Sequence, residues 1–310
     1  MGYNQATHPN TILTNMNIKH IMIAAIAALT MTACSDDEPE SKSIFDNQTA
    51  TAENDFDRWL KVNYVDDYNI MLKYKFEYNE SPTNFKLVPA EYNRSVALAI
   101  LTKHLWLETY AEHMGKDFIR TYCPRIIHFI GSPAYNSDGS ITIGNAEGGL
   151  KVTLFNVNNL NYEKVDLAYL NEYYFHTMHH EFMHILHQTK NYPTEFNEVT
   201  PSDYQAQSWI NFTDSAALSK GFITAYAGQD PQEDLCEIIS TYITNTAEYW
   251  ETTLASTNEH GRNAINTKLE ILRGYLKDSW GMDLDELRAI IQRRQEEAKS
   301  LDLQSLTIEE

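Results

Sequence analysis

The run from Asp166 to Gln188 constrains this chain more than any other segment. It holds no Pro or Gly, and it contains His180-Glu181-Phe182-Met183-His184. At about 100° per residue, Tyr174, Met178, Phe182, Ile185 and Leu186 form one apolar stripe, and His176, His180, His184 and His187 fall on the opposite face. A fold that uses this helix must bury the first stripe and turn the second toward solvent or a cleft. Two His four residues apart on one face can hold a single Zn2+, with Glu181 beside the metal as general base.

A third ligand must come from elsewhere. His187 lies three residues past His184, about one turn farther along the axis, and no Gly breaks the helix before it. The spacing therefore places His187 as a neighbour or cleft wall, and His176 and His179 likewise. Asp230-Pro231 opens another helix, an N-cap followed by Pro at the first helical position. On it Glu233 and Glu237 share a face, while Leu235, Ile238, Ile239 and Tyr242 cover the other. Glu233 is the candidate third ligand. Glu237 is then the carboxylate that accepts a hydrogen bond from a ligand His. Glu233 is also N3 of a capping box headed by Asp230, so local pattern alone leaves ligand and cap both open.

The rest of the chain reads as α+β. Tyr68 to Tyr78 alternates and is aromatic-rich, as a strand would be. Arg125 to Ile130 and Leu150 to Val157 also read as strands. Glu91 to about His113 has helical spacing, and two helical patterns separated near Gly281 end the chain. One domain is expected over 54–310, with an active-site helix, a small sheet and a helical C-terminal part.

The N-terminal segment is of a different kind. Lys19 and His20 precede a short apolar run that ends Met31-Thr32-Ala33-Cys34. This is an export signal over 1–33, with Met16 a more ordinary start than Met1, and its end resembles a bacterial lipobox, in which Cys34 would carry lipid. Residues 34–53 are acidic and polar, a flexible linker. The chain would then be anchored to a membrane and not span it. Lys plus Arg number 24 against 43 Asp plus Glu, a net charge of −19, which repels phosphate backbones and argues against nucleic acid as a partner. The spacing does not tell whether Cys123 and Cys236 pair.

The His-Glu-Phe-Met-His helix followed by a Glu-x-x-x-Glu helix resembles the Glu-zincins. The string from Gly221 to Glu237, the lipobox, Leu150 to Val157 and Trp280-Gly281-Met282-Asp283-Leu284 resemble the substrate import-associated zinc metallohydrolase lipoproteins. Cys236 departs from that pattern, in which Ala is commoner. The resemblance implies a zincin-like metallopeptidase with Zn2+ as cofactor and a peptide or protein as substrate. It also implies an outer-membrane, surface-facing lipoprotein that works with a TonB-dependent importer and its binding lipoprotein. Tyr226 precedes Glu233 by seven residues, as the transition-state Tyr does in lethal-factor-like zincins, and would donate to the oxyanion. Leu150 to Val157 would be the edge strand that pairs with an extended substrate. The rival reading is a non-catalytic binding lipoprotein of the importer that keeps the zinc fold; an intact Glu181 speaks against it.

Overall fold

The computed structural model describes residues 53–136, 141–142, 144–147 and 149–308. The expected signal segment, Cys34 and nearly all of the linker lie outside the described residues.

A four-stranded sheet forms one wall. Its strands are β1 (Met71–Lys73), β2 (Ile126–Phe129), β3 (Gly144–Glu147) and β4 (Lys151–Leu154), in the order β1-β2-β4-β3. β1 and β4 both run parallel to β2, with Met71 opposite Ile126 and Ile127 opposite Val152. β3 turns back antiparallel on β4, pairing Gly144 with Leu154 and Glu147 with Lys151.

Two expectations change here. Of the Tyr68–Tyr78 run only Met71–Lys73 is strand, because Tyr68 and Tyr74 alternate for core burial and not for a ladder. The Leu150–Val157 segment does form β4, but β4 has β2 on one side and β3 on the other. Both its hydrogen-bonding edges are filled, so it cannot take a substrate strand. The edge beyond β4 belongs to β3, which lies beside the metal-motif helix.

Helices make the rest. Tyr92 to Met114 is one long helical run with a π turn at Lys103–Leu107, as the spacing implied. The Asp166 carboxylate accepts from the amides of Ala168 and Tyr169 and starts the next run. That run passes through a π turn and becomes α1 (His176–Thr189). Tyr174, Met178, Phe182 and Leu186 are fully buried, as the apolar stripe requires. Ile185, the fifth member, is only half-buried, because it borders a cleft.

The second motif helix is α2 (Pro231–Thr244), packed closely against α1. The Asp230 carboxylate caps it by accepting from the amides of Gln232 and Glu233. The C-terminal patterns become α3 (Glu259–Tyr275) and α4 (Leu284–Ala298), with Gly281 between them at φ +71. Cys123 and Cys236 are both free and buried.

An ion pair sits inside the core. Lys268 of α3 and Asp234 of α2 are both fully buried, with Nζ and Oδ2 at 2.6 Å. The ammonium also donates to the carbonyl of Gly221 at 2.8 Å. Gly221 has φ +95, and a Cβ there would stand 2.5 Å from Cβ of Ala264, so only glycine fits this corner. The corner launches the segment 222–229, which carries Tyr226 over the metal motif.

Candidate metal centre

α1 and α2 meet so that three side chains converge. His180 Nε2 and Glu233 Oε2 are 2.9 Å apart, His184 Nε2 and Glu233 Oε2 are 3.2 Å apart, and the two Nε2 atoms are 3.1 Å apart. Tetrahedral zinc with bonds of about 2.0–2.1 Å holds its ligand atoms about 3.3 Å from one another. The triangle is therefore the right size for zinc, and two imidazoles with one carboxylate are a donor set that a catalytic zinc takes.

Cys236 is a competing donor, since its Sγ lies within 4.8 Å of a ring nitrogen of His180 and of His184. It is fully buried, and burial pushes its thiol well above the usual range. Glu233 meets both Nε2 atoms at hydrogen-bonding distance, and the Cys236 thiol makes no such contact to them.

Glu233 does not complete the capping box. Asp230 still caps the helix, but the Glu233 carboxylate points across to α1. Burial would raise its pKa, yet hydrogen bonds from His180 and His184 hold the carboxyl well below the ordinary range. For His180, burial disfavours the imidazolium, but Glu233 and Glu237 outweigh it and push the pKa up to about 10. The position favours a positive charge, whether a proton or a metal ion carries it.

His180 and His184 are each held from behind. His180 Nδ1 donates to Glu237 Oε1 at 2.8 Å, the carboxylate–imidazole arrangement that fixes which nitrogen faces a metal. The same oxygen meets His176 Nε2 at 2.9 Å, and Thr224 Oγ1 donates to Glu237 Oε2 at 2.7 Å. His187 Nε2 is 2.9 Å from Nδ1 of His184. Burial, then the nearby His184, pull the pKa of His187 down to about 4. A neutral His187 can accept the Nδ1 proton of His184, which leaves Nε2 for the metal. His179 turns the other way and bonds the Tyr110 hydroxyl at 2.8 Å in the core.

Glu181 lines a cavity of about 240 Å³ together with His184, Glu233 and Ile185. Burial raises its pKa, with His180 and His184 opposing. Its carboxylate makes no hydrogen bond to another described residue, so its oxygens are available to a substrate or water. Tyr226 places its ring 5.8 Å from that of His180. Burial first, then the charge of Glu233, push the phenol well above its ordinary range, so it stays a hydrogen-bond donor.

The structure thus brings Glu181, His184 and Glu233 to one cavity, with His180 against Glu233 and Tyr226 against His180, and Glu237 and His187 behind the two imidazoles. Thr224 had no signal in the sequence, because it sits in an irregular segment without periodicity.

A family model described as "Putative zinc-binding metallo-peptidase" matches residues 49–285. The chain belongs to this family. A crystal structure of a "putative zinc-binding metallo-peptidase" from Bacteroides caccae ATCC 43185 is similar to it. The two share 44% identity at a TM-score of 0.73, over 82% of this chain and 96% of that one. No curated protein matches the chain. The metallopeptidase family is a zinc-binding one, and the His180–His184–Glu233 triangle is where this member offers a donor set of that kind.

Proposed function

We propose that this chain is a zinc metallopeptidase that hydrolyses peptide bonds. One observation carries the reading: Glu181, a half-buried carboxylate with no hydrogen-bond partner among the described residues, shares a cavity with His184 and Glu233 of a zinc-sized triangle. A purely structural metal site has no use for such a base and is closed by a fourth protein ligand.

Zinc in this setting supplies Lewis-acid polarisation and a water of lowered pKa. Glu181 accepts the proton of the attacking water and delivers it to the leaving amine. A raised pKa suits both halves of that task, because the group must give the proton back. Tyr226 donates to the carbonyl oxygen as it gains charge. Glu237 and His187 keep the two imidazoles in the productive tautomer.

The test is Glu181→Gln. The variant should keep its zinc and lose about 10²–10⁴-fold in kcat, the usual worth of a positioned general base. Peptide turnover at the parental rate in the zinc-loaded variant would sink the mechanism.

The cellular setting belongs to the same proposal. The lipobox-like Met31-Thr32-Ala33-Cys34 supports an outer-membrane lipoprotein, and the acidic Asp36-Asp37-Glu38 behind it supports export to the surface. Resemblance to the import-associated lipoproteins supports service to a TonB-dependent nutrient importer and its binding lipoprotein. The full-length chain should partition with membranes, and Cys34→Ala should release it. Equal partitioning of the two would overturn the anchor.

A further inference from the structure

Hydrolysis leaves one member of the histidine stripe, His176, without a task. Its side chain keeps 27% exposure, and its Nε2 is 2.9 Å from Glu237 Oε1. The same oxygen is 2.8 Å from Nδ1 of His180, the ring whose Nε2 faces Glu233. Two imidazoles and a carboxylate therefore meet a second time.

The second meeting repeats the first one helical turn away. His176 and His180 stand four residues before His180 and His184 on α1, and Glu237 stands four residues after Glu233 on α2. His180 and His184 meet Glu233, and His176 and His180 meet Glu237, so α1 and α2 run antiparallel here. Both four-residue steps then go the same way in space, about 6 Å along the axes.

The two sets differ in shape. The rings of His176 and His180 are 6.4 Å apart, against 4.8 Å for His180 and His184. A square-planar ion with bonds of about 2.0 Å sets neighbouring ligand atoms about 2.8 Å apart and opposite ones about 4 Å apart. Glu237 Oε1 lies at the neighbour distance from both nitrogens. One ligand atom from each of the three residues is within 4.8 Å of the others, which leaves room for the carboxylate between two opposed imidazoles. Ser240 Oγ, 3.4 Å from His176 Nε2, is a further oxygen beside them. Nitrogen and oxygen donors in this plan suit Cu2+.

We propose that His176, His180 and Glu237 form a second metal site, for Cu2+, joined to the zinc centre through the His180 imidazole. Because it shares His180, the site rests on the zinc-ligand reading behind the peptidase. Binding displaces the protons between Glu237 and the two rings. The Nδ1 proton of His180 leaves to solvent, and the ring bridges the two ions as an imidazolate. His176 keeps one proton, on Nδ1, and gives Nε2 to the metal. One proton is released per Cu2+, and Glu237 holds the His180 ring through the ion instead of through a hydrogen bond.

The test loads the full chain with zinc, adds copper(II) chloride and measures both metals after gel filtration. The parent should hold one zinc and one Cu2+. His176→Ala should keep the zinc, while its copper affinity falls about 10-fold or more with the lost donor. Copper paramagnetic resonance then reports position. With zinc in the first site the signal should be sharp and split by imidazole nitrogen, and with Co2+ there it should broaden, because a second paramagnet sits about 6 Å away. Copper that displaces the zinc, copper held equally by His176→Ala, or a signal that Co2+ leaves unchanged overturns the second site. No readout here depends on turnover. Absence of peptide cleavage alongside the expected copper results sinks the peptidase and leaves the second site standing, and cleavage by a chain that takes no second ion does the reverse. A chain that holds no zinc overturns both.

Discussion

Glu233→Ala should abolish stoichiometric zinc binding and turnover while leaving the fold nearly as stable as before. The geometry separates the two roles that one position could play. The helix cap is the Asp230 side chain, and it survives the change. The Glu233 carboxylate is spent on His180 and His184. A cap residue would cost about 0.5–2 kcal/mol of stability and no metal. A ligand costs metal, because two imidazoles alone hold zinc poorly and binding free energy is lost with the donor. Glu237→Ala is the comparison. It removes the acceptor for His180 and His176 but no zinc ligand, so zinc affinity should fall only about 10–100-fold. His187→Ala should behave like Glu237→Ala for the same reason. Metal content after dialysis against a weak chelator, with melting temperature of the metal-stripped proteins, reads both quantities. Zinc retained by Glu233→Ala but lost by Glu237→Ala would move the third ligand one helical turn along α2.

That distinction marks where sequence reading stops. Glu233 and Glu237 are equivalent in periodicity, four residues apart on one face. Only the axial offset between α1 and α2 decides which meets the Nε2 atoms and which meets Nδ1 of His180. The helices themselves were legible, because Asp166, Asp230 and Pro231 announce their starts and the apolar stripe fixes their inner faces. The mixed α+β class followed from the same patterns. The sheet was less legible. Its strands run three to four residues, too short for alternation to specify, and parallel pairing joins Met71 to Ile126 across a long separation. Hence Leu150–Val157 read as an edge strand when β4 is interior. Thr224 lies in a segment whose conformation comes from tertiary contacts, so no local pattern marks it.

The largest effect on stability should come from Lys268→Met. Lys268 and Asp234 are both fully buried, and the Tyr204 hydroxyl adds a hydrogen bond to Asp234 Oδ2 at 2.8 Å. The other oxygen, Oδ1, has no hydrogen-bond partner among the described residues, so the carboxylate depends on the ammonium. Burial already raises the Asp234 pKa to about 6, with Lys268 opposing, and burial lowers that of Lys268. Removing one partner leaves an uncompensated charge, which costs about 3–5 kcal/mol. Replacing both, as Lys268→Met with Asp234→Leu, should recover most of that loss. The sign with pH follows from the raised carboxyl. A group whose folded pKa lies above its unfolded value stabilises below the unfolded value and loses that contribution as pH rises through the folded one. Without Lys268 the folded pKa of Asp234 climbs further, so the single variant takes up a proton near neutrality. Its stability deficit against the parent should narrow as pH drops from about 8 toward about 6, and the double variant should show no such narrowing. Denaturant midpoints across that range read the difference. A constant deficit, or a double variant as weak as the single one, would show that Lys268 acts by packing on Phe222, whose ring lies 4.1 Å from its Nζ, and not by charge. The site would register the loss in either case, because Lys268 also holds the Gly221 carbonyl at the head of the segment that carries Thr224 to Glu237 and Tyr226 to His180.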